Sequence, residues 1–118
     1  MGAIISAKCK CGFQTMMHLG GGMCNHLVSS SFPNYCKRCK TLFTANMYDE
    51  HIVCGNCNSY DTVTYSHPSV VKILDQYKLM DWRGGHENHG KLVLYPKNNL
   101  CPCCDNFSLK FTSVGRWD

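Results

Sequence analysis

Residues 35–65, YCKRCKTLFTANMYDEHIVCGNCNSYDTVTY, contain two pairs of cysteines, Cys36 with Cys39 and Cys54 with Cys57. Two residues separate the members of each pair, which lets the backbone form a tight knuckle whose thiolates converge on one point. The 14 residues between the pairs allow a hairpin that brings the knuckles together. This spacing predicts a tetrahedral four-cysteine site for Zn²⁺, with iron as the alternative ion for four sulfurs.

The two ends of the chain carry further cysteines. Residues 3–18 predict two strands around the knuckle CKCG at 9–12, and residues 92–114 predict a strand, a turn, the knuckle CPCC at 101–104 and a last strand with alternating apolar residues. If Cys103 is a spacer within CPCC, the two ends of the chain meet to complete a second zinc site, whose ligands are Cys9, Cys11, Cys101 and Cys104. Pairing of Cys101 with Cys103 is the alternative.

Composition favours metal sites over disulfides. The chain has 118 residues and ten cysteines, its first residues lack the apolar run of a signal peptide, and no stretch is apolar enough to span a membrane. We therefore expect a cytoplasmic protein with thiolate ligands. Each four-cysteine zinc site changes the charge by −2, so two sites take the formal net charge from +4 to 0. Bulk charge is thus a weak argument for nucleic-acid binding.

A short helix is predicted over residues 67–82. Pro68 suits a first helical turn. Apolar residues then follow at helical spacing and form one stripe, consisting of Val70, Ile73, Leu74, Tyr77 and Met80. We expect this stripe to pack across one of the sheets, and a groove of a partner protein is the alternative.

Several potential ligands remain outside the two sites: His18, Cys24, His26, His86, His89 and Cys103. A third, open metal site built from them could support hydrolysis, but His86 and His89 are three residues apart in a loop flanked by glycines, not four apart on a helix. We expect surface histidines instead. Cys24 and His26 are alternate ligands for the terminal site, and the glycines at 20–22 predict a flexible loop or, alternatively, a loop that binds an anion or a partner.

The strands, knuckles and ligand spacing resemble the zinc-ribbon superfamily over most of the chain, and the combination of CKCG, GGGM, CPCC and the final GRWD is similar to small microbial or phage double zinc-ribbon proteins. The expected fold is small, metal-stabilised and mainly β, with two nested zinc ribbons, one short α-helix and two Zn²⁺ per chain. We expect one compact unit, 1–118, in which residues 1–26 and 91–118 form a terminal ribbon and residues 35–65 an inserted central ribbon.

Closed four-cysteine sites are structural, so we expect a binding module and no enzyme. The resemblance implies binding to protein or nucleic acid, since zinc ribbons serve in transcription, translation and DNA processing. The first hypothesis is a protein–protein adaptor or regulator, and a metal-dependent hydrolase is the least favoured. Nucleic-acid binding is the alternative, using Lys37, Arg38, Lys40 and Phe43. The competing interpretation of this patch is that its rings pack over the zinc site and its cations balance the thiolates.

Overall fold

A computed structural model describes residues 2–20, 31–49, 51–74, 76–82 and 92–117. These residues form a small, mainly β structure, as the sequence predicts. Its strands, in chain order, are β1 (Gly2–Lys8), β2 (Gln14–Gly20), β3 (Ser31–Cys36), β4 (Thr41–Asn46), β5 (Thr62–Thr64), β6 (Met80–Trp82), β7 (Leu92–Leu94) and β8 (Lys110–Trp117).

One antiparallel arrangement of three strands occurs twice. In what we call the terminal half, β1 lies between β2 and β8; in the central half, β3 lies between β4 and β5. Gly20 of β2 pairs with Ser31 of β3, which joins the two halves into one six-stranded sheet. Strands β6 and β7 form a separate antiparallel pair.

A single apolar core extends through both halves. Alternate residues of β1 enter it, because successive side chains of a strand point to opposite faces. Tyr65 is fully buried between the halves, with its ring edge-on to Tyr35 of β3 at 6.2 Å and to Phe111 of β8 at 5.4 Å. Its hydroxyl donates a hydrogen bond to the carbonyl of Leu100 at 2.9 Å. Tyr65 therefore connects the central half to the segment that leads into Cys101.

The predicted helix over 67–82 is wrong, since the described residues of that range, 67–74 and 76–82, contain no α-helix. The backbone of this segment finds its partners in a distant loop: the N–H of Lys72 donates to the carbonyl of Asn98, and the N–H of Leu100 donates to the carbonyl of Val70. Leu74 has a φ of +40°, outside the right-handed helical region. Competing long-range hydrogen bonds thus replace the i to i−4 ladder.

The apolar stripe of the expected helix is divided between core and surface. Val70 is buried and Val71 forms a bridge with Asn99, whereas Leu74 and Tyr77 are 70% and 91% exposed. Ile73 is also exposed. In the part of the chain that the structure describes, no helix has the length and apolar character needed to cross a bilayer.

Candidate metal centres

Each cysteine knuckle ends at a residue whose φ is positive: 103° at Gly12, 55° at Lys40, 60° at Asn58 and 59° at Asp105. In the three knuckles with two spacer residues, the N–H of that residue donates to the carbonyl of the first cysteine at 2.9–3.0 Å. In the shorter terminal knuckle, Gly12 makes the same bond to Cys9 one residue earlier, at 3.0 Å. The left-handed residue turns the chain back after the second cysteine, so that the two sulfurs lie on one side.

The central cluster consists of Cys36, Cys39, Cys54 and Cys57, whose sulfurs all lie within 4.8 Å of one another. The Sγ atoms of Cys36 and Cys57 are 3.6 Å apart and those of Cys39 and Cys54 are 3.5 Å apart. A tetrahedron with metal–sulfur bonds of about 2.3 Å has edges of about 3.8 Å, and a disulfide would need about 2.05 Å. The cluster therefore has the dimensions of a four-sulfur metal site.

The terminal cluster consists of Cys9, Cys11, Cys101 and Cys104, and it has the same dimensions. Sγ of Cys9 lies 3.6 Å from that of Cys104, and Sγ of Cys11 lies 3.7 Å from that of Cys101. The Ser108 hydroxyl is 3.0 Å from Sγ of Cys9. Cys103 is exposed and lies outside the cluster, so the structure places Cys104, and not Cys103, beside the other three sulfurs.

The crowded sulfurs separate the pKa values of their thiols. Burial raises the pKa of Cys9, but hydrogen bonds to the Cys11 backbone and the Ser108 hydroxyl outweigh it and bring that pKa to about 6. At Cys11 a backbone hydrogen bond from Phe13 lowers the pKa, yet burial and the neighbouring thiols raise it to about 12. Neighbouring thiolates repel one another, so a bound cation is needed before all four can ionise.

The central cluster shows the same separation. A hydrogen bond with Thr41 and one with Asn56 lower the pKa of Cys39 to about 6. Burial, together with the other thiols of the cluster, raises the pKa of Cys57 to about 12. Each group of four thiols could hold one metal ion, and binding would release protons from its high-pKa members.

The other predicted ligands are not brought together. His18 lies on β2 with its side chain exposed, while Cys24, His26, His86, His89 and the glycines at 21–22 lie outside the described residues. Within the described ranges, the two four-cysteine clusters are the groups in which three or more possible ligands converge.

The predicted nucleic-acid patch is partly dispersed. Lys37 and Arg38 are exposed on the first central knuckle, and Phe43 is half-buried on β4. Lys40 is exposed too, but its Nζ lies 2.9 Å from Oδ2 of Asp105 on the terminal knuckle, an ion pair that raises the pKa of Lys40. Tyr35 is buried in the core. Two exposed cations without an ion pair to the described residues, Lys37 and Arg38, and one half-buried ring therefore remain from the predicted set.

A second group of cations was missed by sequence reasoning. A cleft of about 550 Å³ beside the terminal cluster is lined by four lysines, Lys8, Lys10, Lys97 and Lys110, and by the ring of Phe107. We call it the lysine cleft. Lys8 and Lys10 flank Cys9 in the sequence, and only the fold brings Lys97 and Lys110 to the same cleft.

Comparisons of the chain with protein-family models, with curated proteins and with solved structures give no match. The geometry of the two clusters, which is consistent with zinc-ribbon-like modules, is therefore the basis for any inference about function.

Proposed function

We propose that this chain is a non-catalytic binding module whose fold is held by two Zn²⁺ ions, one in each cluster. The observation that carries the proposal is that four cysteine sulfurs surround each site at tetrahedral spacing. A metal ion with four protein ligands has no coordination position left for water or substrate. Zinc is proposed over iron because closed four-cysteine sites are its usual structural form. The nine described cysteines carry no disulfide, which supports a reducing compartment such as the cytoplasm.

Elemental analysis of the purified protein tests the metal. The expected result is two zinc ions per chain, released together with protons when a chelator is added. Visible absorption from iron–sulfur charge transfer would contradict the choice of zinc. A third zinc ion held by fewer than four protein ligands would contradict the non-catalytic assignment, because an open coordination position is where hydrolysis could occur.

The first candidate partner is another protein, so that the chain acts as an adaptor or regulator. The supporting observation is the segment 72–78, where large apolar side chains that the sequence predicted to be in a core are exposed to solvent. Leu74 and Tyr77 are the most exposed of them. Large apolar side chains that are exposed close together in the sequence favour a contact with another protein.

Affinity capture from the native host tests this candidate. We expect a partner that is retained by the wild type and lost by the double variant Leu74→Ser/Tyr77→Ser. Tyr60→Ser is the matched control. Tyr60 is also an exposed tyrosine, at 72%, and it follows the second central knuckle, outside segment 72–78. The same set of captured proteins with all three forms would contradict a contact through segment 72–78.

The second candidate partner is nucleic acid. The supporting observation is that Lys37 and Arg38 are exposed on the first central knuckle, where they could contact phosphates. Titration with nucleic acid at two salt concentrations tests it. Absence of binding at low salt would contradict this candidate.

A further inference from the structure

The lysine cleft concentrates positive charge at an energetic cost. Lys8 of β1 and Lys110 of β8 are direct partners in the antiparallel register, and like charges directly opposite each other destabilise a sheet. Lys10 and Lys97 line the same cleft. Among the described residues, none of these four lysines has a carboxylate at ion-pair distance. An anion that lies between the ammonium groups would reduce the electrostatic repulsion among them.

The metal cluster next to the cleft does not balance this charge. Four thiolates and one Zn²⁺ give the loaded terminal cluster a charge of −2, whereas the four lysines carry +4, so the local sum is +2. Lys72 adds a fifth cation at the edge, where its Nζ lies 4.7 Å from the centre of the Phe107 ring. Compensation of the thiolate charge therefore accounts for only part of the positive charge of the lysine cleft.

We propose that the lysine cleft binds the phosphates of a single-stranded nucleic acid. Its volume of about 550 Å³ is that of a pocket for a small ligand, so one nucleotide would lie within it while the neighbouring phosphates of the strand meet the lysines that line it. Separate ammonium groups match successive phosphates as point charges. The Phe107 side chain supplies an apolar wall for a sugar or base. This inference deepens the second candidate function and rests on it, but it moves the contact away from the central knuckle.

Fluorescence anisotropy with a labelled deoxythymidine oligonucleotide of about 12 nucleotides tests the proposal on the zinc-loaded protein. Four phosphate contacts predict a slope of log K against log salt of about −2.8 for a single strand, so binding weakens about 50-fold between about 50 and about 200 mM salt. The double variant Lys97→Gln/Lys110→Gln removes two contacts without changing residues adjacent to the cysteines. Its slope is expected to fall to about −1.4.

The matched control is Lys37→Gln/Arg38→Gln, which removes the same charge from the central knuckle and is expected to bind as the wild type does. If this control loses affinity and the cleft variant does not, nucleic-acid binding stands and the lysine cleft is the wrong site. If no form binds the oligonucleotide at about 50 mM salt, both the cleft proposal and the nucleic-acid candidate fail, while metal analysis still tests the zinc scaffold by itself.

Two competitors decide the chemical class of the ligand. Thymidine monophosphate is expected to compete weakly, since it offers one phosphate in place of several; equal competition per phosphate would overturn the proposal of a strand in favour of a free nucleotide. Polyglutamate of similar length is expected to compete less well than the oligonucleotide. Equal competition by polyglutamate would overturn it in favour of a site for acidic peptides.

Discussion

The central and terminal halves share one topology but close over very different lengths of chain. In each half the strand that enters the first knuckle, β3 or β1, lies between the other two strands. The central knuckles are separated by 14 residues, 40–53, and the terminal knuckles by 89 residues, 12–100. For flexible loops this difference makes closure of the terminal cluster about 1.6 kcal/mol more costly.

The long loop of the terminal half is not a flexible chain, however, because the central half lies within it. Pairing of Gly20 with Ser31 and the contacts of Tyr65 with Phe111 and Leu100 place the folded central half against both ends of the terminal half. The difference suggests a direction of dependence. We therefore expect the central cluster to form from local sequence, and the terminal cluster to require the central half in place.

Loss of one buried cysteine from each half should have unequal effects. We expect Cys101→Ser to release one zinc and leave the central cluster loaded, because the four central ligands lie within residues 36–57. We expect Cys54→Ser to empty both clusters, since the terminal half then loses the scaffold that closes it. Structural zinc in small zinc peptides contributes on the order of 10 kcal/mol, so we expect this to be the largest effect. Native mass spectrometry counts the bound ions.

Release of both ions by Cys101→Ser would show that the central half does not fold alone. Retention of the terminal ion by Cys54→Ser would show that the terminal half closes without it. Cys103→Ser is the control for both, because Cys103 is exposed and outside the terminal cluster, and it should keep two ions.

The shared core predicts that the halves unfold together once both ions are bound. Phe111→Ala removes a buried ring that contacts Tyr65, and it should lower the free energy of unfolding by about 3–5 kcal/mol. Urea unfolding of the loaded protein should remain a single transition. Thr112→Ala is the control, since Thr112 is the exposed neighbour on β8 and should change stability by less than about 0.5 kcal/mol. Two separate transitions would contradict a common core.

The short first knuckle of the terminal half differs from the other three knuckles because its positive-φ residue is a glycine. Gly12 has a φ of 103°, and a Cβ there would meet no atom within 4 Å, so Gly12→Ala tests backbone strain alone. We expect a loss of about 1–3 kcal/mol in the free energy of unfolding. Gly55 in the second central knuckle has equal space and no such φ. Gly55→Ala should be neutral or slightly stabilising, and an equal loss in both variants would contradict the strain argument.

The cysteine pairs of each knuckle could be predicted from the sequence because knuckle spacing is a local property. Two spacer residues and a following residue with positive φ bring two sulfurs together without any other part of the chain. The alternation of apolar and polar residues predicts strands for the same reason. Even the choice of Cys104 over Cys103 follows from local spacing, since it repeats the two-residue gap of the central pairs.

The errors concern contacts between distant residues. Helical spacing from Val70 to Met80 was misleading, because it could not show that the 96–100 loop offers partners to the backbone of Val70 and Lys72. The lysine cleft depends on the register of Lys8 with Lys110, which are at opposite ends of the chain. In each case the deciding neighbour lies far away in sequence.

The smallest expected effect comes from the ion pair between Lys40 and Asp105, which joins equivalent knuckle positions of the two halves. Both side chains are exposed and screened by solvent, so Asp105→Asn should lower the melting temperature slightly at low salt and not at about 1 M salt. Asparagine tolerates the positive φ of Asp105, which isolates the charge. A double-mutant cycle with Lys40→Gln measures the coupling. Coupling as large as the Phe111→Ala effect would mean that the knuckles, and not the core around Tyr65, hold the halves together.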